Sequence, residues 1–143
     1  MAYVCMECHE VYNINLETCP KSNCSGEVVE IDDLILPAII MLNAKGYMTE
    51  FSCAGHIYDD GCTSYVLLQS IMTEVLRDDD IDKIKELLPL SWKMSVDNFG
   101  RMEFSHEINK NYEHQFCVDT YEDILYANLD FLHFVQKLPE LDW

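Results

Sequence analysis

Basic residues are scarce in this chain: 9 Lys and Arg stand against 26 Asp and Glu, giving a formal charge of −17 over 143 residues. Non-specific binding to phosphate backbones needs clustered cations, so nucleic acid is disfavoured as a partner, and docking on an anionic membrane is disfavoured for the same reason. Glycine is sparse as well, at 5, and there is no Gly-rich phosphate loop, no Ser-His-Asp order and no His-Glu-x-x-His motif. Long apolar runs are missing. The longest, Leu34 to Leu42, is nine residues with Pro37 inside it, far short of a membrane span. The start, Met1-Ala2-Tyr3-Val4-Cys5-Met6-Glu7, lacks the cationic and apolar regions of a secretory peptide, which predicts a soluble, cytoplasmic protein. What the chain does have is 49% hydrophobic and 11% aromatic residues, enough for a buried core and against whole-chain disorder. Its length fits one domain with a small appended module.

Seven cysteines in a chain without a secretory signal are read as metal ligands or free thiols before disulfides. Four of them form two close pairs, Cys5-Met6-Glu7-Cys8 and Cys19-Pro20-Lys21-Ser22-Asn23-Cys24. A tight turn between paired cysteines points both sulfurs inward, so each pair supplies half of a tetrahedral site. Two disulfides, or four unligated thiols, are the competing readings. Tyr3-Val4 and Val11-Tyr12 read as short strands around the first pair, and Ser25 to Ile31 as a strand leaving the second. Residues 3–30 resemble the zinc-ribbon or rubredoxin-like knuckle family, with four residues rather than the usual two inside the second pair. The resemblance implies one structural Zn²⁺ held by Cys5, Cys8, Cys19 and Cys24, a closed site that folds its module rather than a catalytic one. His9 is a neighbour that could replace a ligand. Four thiolates and one Zn²⁺ would take the nominal charge from −17 to −19, and Lys21 is the only basic residue before Lys45, so a DNA-reading ribbon is not expected.

After this ribbon, assigned to residues 1–30, residues 31–143 read as a compact α+β domain of order α-β-β-α-β-β-α, with helices packed on an antiparallel or mixed sheet. Asp32 or Asp33 is placed to cap a first helix whose inner face is Ile31, Leu34, Ile35, Ala38, Ile39 and Leu42, and Gly46 to stop it. Strands are predicted over Tyr47 to Cys53 and Thr63 to Ile71, then a helix from Asp80 to Leu88 that Pro89 ends. Trp92, Met94 and Val96 alternate, Asp97-Asn98-Phe99-Gly100 turns, and Met102 and Phe104 complete a hairpin. A final helix from Asp119 to Lys137 turns Ile124, Leu125, Asn128, Phe131, Leu132, Val135 and Leu138 inward. The methionines on apolar stretches read as core filler, and His133 as structural or exposed.

The segment Phe51-Ser52-Cys53-Ala54-Gly55-His56 sets a thiol and an imidazole in a Gly-containing loop at a strand end, where sites often lie. Cys53 and His56 could serve as nucleophile and base, or join Cys62 and one of His106, His114 or Cys117 around a second metal. The plain alternative is a buried, inert thiol. Gly46 through His56, between a helix and a strand, resembles the Ser-Cys-Ser-Gly-Arg region of the wybutosine-synthesising tRNA methyltransferase family, with His56 where that family has Arg. The resemblance implies a ligand- or nucleotide-binding α-β-β unit whose carried-over positions are Ser52, Cys53, Gly55 and His56.

The acids form short clusters, Glu30-Asp32-Asp33, Asp59-Asp60 and Asp78-Asp79-Asp80 with Asp82, and no acidic tail, so the charge belongs to a folded surface. The Asp triplet suits a helix start, and no EF-hand spacing follows it. Compact, acidic, motif-poor chains are similar in style to phage-encoded inhibitors of host defence nucleases. The sequence therefore predicts a non-enzymatic zinc-binding protein, an inhibitor or adaptor for a basic protein surface. A small-ligand or nucleotide-binding domain, with or without enzymatic activity, around the Cys53 loop is the alternative.

Overall fold

A computed structural model of the chain describes residues 2–55, 63–107 and 118–142. It is mixed α+β, with the cysteine cluster at the N-terminus. Strands β1 (Ala2–Cys5), β2 (Val11–Tyr12) and β3 (Val28–Ile31) form a small antiparallel sheet of order β2-β1-β3. Helix α1 (Leu36–Ala44) leads to a second antiparallel sheet of order β4-β5-β7-β6, made by β4 (Thr49–Cys53), β5 (Ser64–Leu68), β6 (Lys93–Val96) and β7 (Met102–His106). Helices α2 (Met72–Val75) and α3 (Asp78–Leu87) lie between β5 and β6 in sequence, and α4 (Val118–Lys137) follows β7. No described helix is long and apolar enough to cross a membrane.

Helix α1 is apolar nearly all round, as a helix enclosed by other elements must be. It ends where the sequence predicts. Gly46, at φ 96°, donates its N–H to Asn43 O, and Tyr47 donates to Leu42 O, the paired bonds of a Schellman motif. Its start differs from the expectation. Neither Asp caps it: the N-cap is Ile35, with no side-chain hydrogen bond, and a turn through residues 33–35 leaves Leu34 40% exposed. The Asp32 carboxylate instead accepts the N–H of Ala54 at 3.0 Å, tying the end of β3 to the end of β4. The strand predicted as far as Ile71 stops at Leu68, because residues 69–71 turn into the short helix α2. Asp80 lies inside α3 at its third position, where its carboxylate accepts the Arg77 N–H at 2.9 Å, and Asp78 and Asp79 join it in the first turn, favourably placed for the helix dipole.

One core joins the parts. Val4 and Ile31 of the N-terminal sheet belong to the same buried cluster as Ile39 and Leu42 of α1, Val66 and Leu68 of β5, and Phe131, Phe134 and Val135 of α4. Trp92 packs its ring 4.5 Å from Phe131 and donates its indole N–H to Ala127 O at 3.0 Å, so it is buried without an orphaned donor. A polar clamp closes the chain ends over α1. The Lys45 ammonium donates to Val135 O, Gln136 O and Leu138 O at 2.9, 2.9 and 2.7 Å, filling the carbonyls left over at the C-terminus of α4.

Tyr47, 1% exposed, donates its hydroxyl to Pro139 O at 2.8 Å, and burial pushes its pKa up to about 12. The folded state therefore holds this proton more tightly than the unfolded chain. The stabilisation is complete below the ordinary value of 10 and is lost as pH rises through about 12. Urea midpoints should fall between neutral pH and roughly pH 11, and Tyr47→Phe should show a shallower fall over that range. An equal fall in both proteins would reject the assignment.

Candidate metal centre

The two cysteine turns converge. Cys5 closes β1, Cys8 lies in the turn after it, and Cys19 and Cys24 flank the second turn, whose chain then enters β3. The Sγ atoms of Cys5, Cys8, Cys19 and Cys24 all lie within 4.8 Å of one another, so these four residues come together as a group able to hold a metal ion. Cys5 and Cys24 are 3.6 Å apart at sulfur, and Cys8 and Cys19 are 3.8 Å apart. A tetrahedron with metal–sulfur bonds of about 2.3 Å has edges of about 3.8 Å, so these separations already suit an ion at the centre. All four thiols are free, as that role requires and disulfides do not.

Local backbone geometry produces this arrangement. His9 (φ 65°) and Asn23 (φ 63°) take left-handed conformations, one just after Cys8 and the other just before Cys24, and so tighten both turns. The Cys8 N–H points at Cys5 Sγ at 3.5 Å, and backbone N–H groups of Glu10, Lys21 and Gly26 face the sulfurs of Cys8, Cys19 and Cys24. The Tyr12 hydroxyl lies 3.2 Å from Cys19 Sγ. That contact, foremost among its causes, lowers the Cys19 thiol to about 7 and raises the Tyr12 phenol. Cys24 goes the other way, to about 12: the Gly26 N–H works to lower it, but burial and the thiols of Cys5, Cys19 and Cys8 outweigh that. Four thiols so close cannot all ionise without a cation among them, and that is what the donor set calls for. His9 stays outside the cluster, its Nε2 buried and without a hydrogen-bond partner.

Gly26 is the tightest point. A Cβ there would lie 2.5 Å from Cys5 Sγ and 2.7 Å from Glu7 Cβ. Gly26→Ala should therefore weaken metal binding by roughly tenfold or more, measured by competition with a chromogenic chelator. Gly100→Ala is the control: its positive φ of 77° strains the substitution locally, but a Cβ there meets nothing within 4 Å, the cysteines included. Equal affinities for the two variants would contradict the packing described.

The second predicted site falls at a different place. Ser52 and Cys53 end β4, and Gly55, at φ 105°, donates its N–H to Cys53 Sγ at 3.4 Å. His56, Cys62, His114 and Cys117 lie outside the described residues, as does the Asp59-Asp60 pair. Cys53 is buried. Around it is a polar group that sequence reasoning did not assemble. Ala54 O accepts Ser64 Oγ at 2.7 Å and Asn128 Nδ2 at 3.0 Å, while Asn128 Nδ2 also reaches Ile124 O at 2.7 Å. Those two carbonyls fix the amide and leave Asn128 Oδ1 buried without a partner among the described residues. His106, opposite Ser64 in the ladder, places Nδ1 2.8 Å from Ser91 O and Nε2 3.1 Å from Asp123. Both of its ring nitrogens thus have protein partners. The one sequence signal for this cluster was Asn128 itself, a polar residue on the inner face of the last helix.

No protein-family model matches the chain, and neither a curated protein nor a solved structure matches it. The resemblance to the wybutosine-synthesising methyltransferases therefore finds no support there, and the metal centre stands on its geometry alone.

Proposed function

We propose that this is a zinc-binding protein that acts by binding, as an inhibitor or adaptor engaging a basic protein surface. Zinc is favoured because four thiolates in a closed tetrahedral set are its commonest structural environment. The observation that carries the binding reading is the spread of exposed acid over the folded surface. Glu7, Glu10, Glu17, Glu27 and Glu30 are all exposed on the ribbon, and with Lys21 as the only cation they give it a charge of −4 before any metal is counted. Four of the nine cations are engaged among the described residues. Lys21 pairs with Glu10, Lys83 with Glu86, and Arg101 with Glu50 and Asp97, while Lys45 is spent on α4. The surface therefore presents a negative potential that steers cationic partners.

The test is capture of cationic protein surfaces over a salt series with the zinc-loaded protein, using lysozyme and cytochrome c as probes. Affinity should fall steeply as salt rises. Absence of any binding at low salt would remove the proposal. A second reading, a small neutral ligand such as a nucleoside beside Cys53, is favoured by the orphaned Asn128 Oδ1 next to Ala54. Adenosine that left the Asn128 side-chain amide signals unmoved would count against it.

A further inference from the structure

Two sheet edges face one groove. In the order β2-β1-β3 the terminal strand is β3, and in the order β4-β5-β7-β6 the terminal strand is β4. A cleft of about 380 Å³ lies between them, lined by Val28 to Glu30 on one side and Thr49 to Phe51 on the other. Phe51 stands 53% exposed there, unusual for an aromatic on a strand whose neighbours are packed.

Hydrogen bonding shows which backbone groups of the two edges are open. Met6 donates to Glu27 O, so the antiparallel alternation between β1 and β3 turns Val28 and Glu30 away from β1. The Val28 N–H is already spent on Glu17 O, which leaves the full backbone of Glu30. On β4, Gln69 donates to Met48 O, and after the bulge between Thr49 and Phe51 the alternation turns Ser52 and Ala54 outward. Thr49 is occupied by Asn43 Oδ1 and the Gln69 side chain, and Ala54 by Asp32. The Asp32 to Ala54 link joins the residues that follow the two strands, and the backbones of Glu30 and Ser52 are unspent on the open sides among the described residues.

The lining also carries charge. Glu27, Glu30 and Glu50 edge the cleft, and among the described residues only Glu50 of these has a cation, Arg101 at 3.2 Å. Apolar Val28, Val29 and Phe51 line the cleft beside these acids. Resting on the reading of the protein as a binder of basic surfaces, we propose that this groove takes an extended partner segment of alternating basic and apolar residues as an added β-strand. Its backbone bonds to Glu30 and Ser52, its cationic face meets Glu30, and its apolar side chains cover Phe51. This is strand addition, in which main-chain bonds give affinity and alternate side chains give selectivity. The bulge at Glu50 and the bond from Val28 to Glu17 O shorten the open stretch, which keeps the edge from pairing indiscriminately.

The test uses the zinc-loaded protein and a short capped peptide alternating Lys and Val, with a second peptide N-methylated at alternate residues so that charge is kept and backbone donors are lost. The plain peptide should shift and protect the amides of Glu30 and Ser52, and the methylated one should bind roughly tenfold or more weakly, a difference of about 1.4 kcal/mol. Glu30→Lys, an exposed change, should weaken the plain peptide to a similar degree. Equal, salt-dependent binding of both peptides would overturn the strand-addition proposal while leaving the acidic-surface reading intact. Failure of both to bind at low salt would overturn both.

Discussion

Cys5→Ser is expected to abolish stoichiometric metal binding and to unfold residues 2–31 as a unit. Cys5 is fully buried at the end of β1, and its sulfur is 3.6 Å from Cys24. The small sheet around it has little else to hold it. Its strands are four, two and four residues long, and its buried apolar side chains are few: Ala2, Val4 and Ile31 beside the cysteines. Such a sheet is marginal alone. Metal affinity in sites of this type, on the order of 10–16 kcal/mol in small peptides, becomes folding energy. A hydroxyl supplies a neutral oxygen where the ion needs thiolate. Elemental analysis should fall from about one zinc per chain to near none, with amide dispersion lost across the ribbon. Cys53→Ser, distant from the cluster, should keep full metal content. Retention of one tightly held zinc in the Cys5 variant would refute the assigned ligand set. The effect should also reach the main body, because Val4 and Ile31 are part of its core. The helices should persist but melt at lower temperature, as they should when a chelator strips the metal.

Features built from near neighbours were legible in the sequence. The spacing of the cysteines located the four-cysteine cluster, Gly46 located the end of α1, and the alternation around Asp97 to Gly100 located the hairpin, since each is decided within a few residues. Features made by distant partners were not. Lys45 reads as an ordinary surface lysine until the fold brings residues 90 or more positions away to its ammonium. Asp32 has the composition of a helix cap, and only the approach of Ala54 gives it a better donor. Tyr12, a hydrophobic strand residue by pattern, meets Cys19 because two turns fold onto each other. The polar group around Ala54 is of the same kind: β4, β5 and α4 each supply one member, and no single segment shows it. The groove between β3 and β4 is still further from the sequence, since it depends on the placement of two sheets.

Phe131→Ala should be the most destabilising change in the main body, by about 3–5 kcal/mol. Phe131 is fully buried at the centre of an aromatic group, with ring centroids 4.5 Å from Trp92, 5.5 Å from Phe134 and 5.8 Å from Phe104. Truncation removes the transfer free energy of the ring and leaves a cavity that these neighbours cannot easily fill. Trp92 is pinned by its bond to Ala127 O, and Phe104 is fixed in β7 between β5 and β6. Since small domains are stable by roughly 5–15 kcal/mol, this one change should consume much of the total. Leu129→Ala, two residues away on α4 and 42% exposed, should cost less than about 1 kcal/mol. Urea unfolding followed by tryptophan fluorescence separates the two, because Trp92 reports the packing directly. If Phe131→Ala and Leu129→Ala shifted the midpoint equally, the inner face assigned to α4 would be wrong. Metal content discriminates further: the Phe131 variant should keep its zinc under native conditions, since all four ligands lie in residues 5–24, whereas Cys5→Ser loses it. The two substitutions thus break the molecule from opposite ends. One removes a ligand of the proposed ion in the ribbon, and the other opens the core on which the ribbon rests.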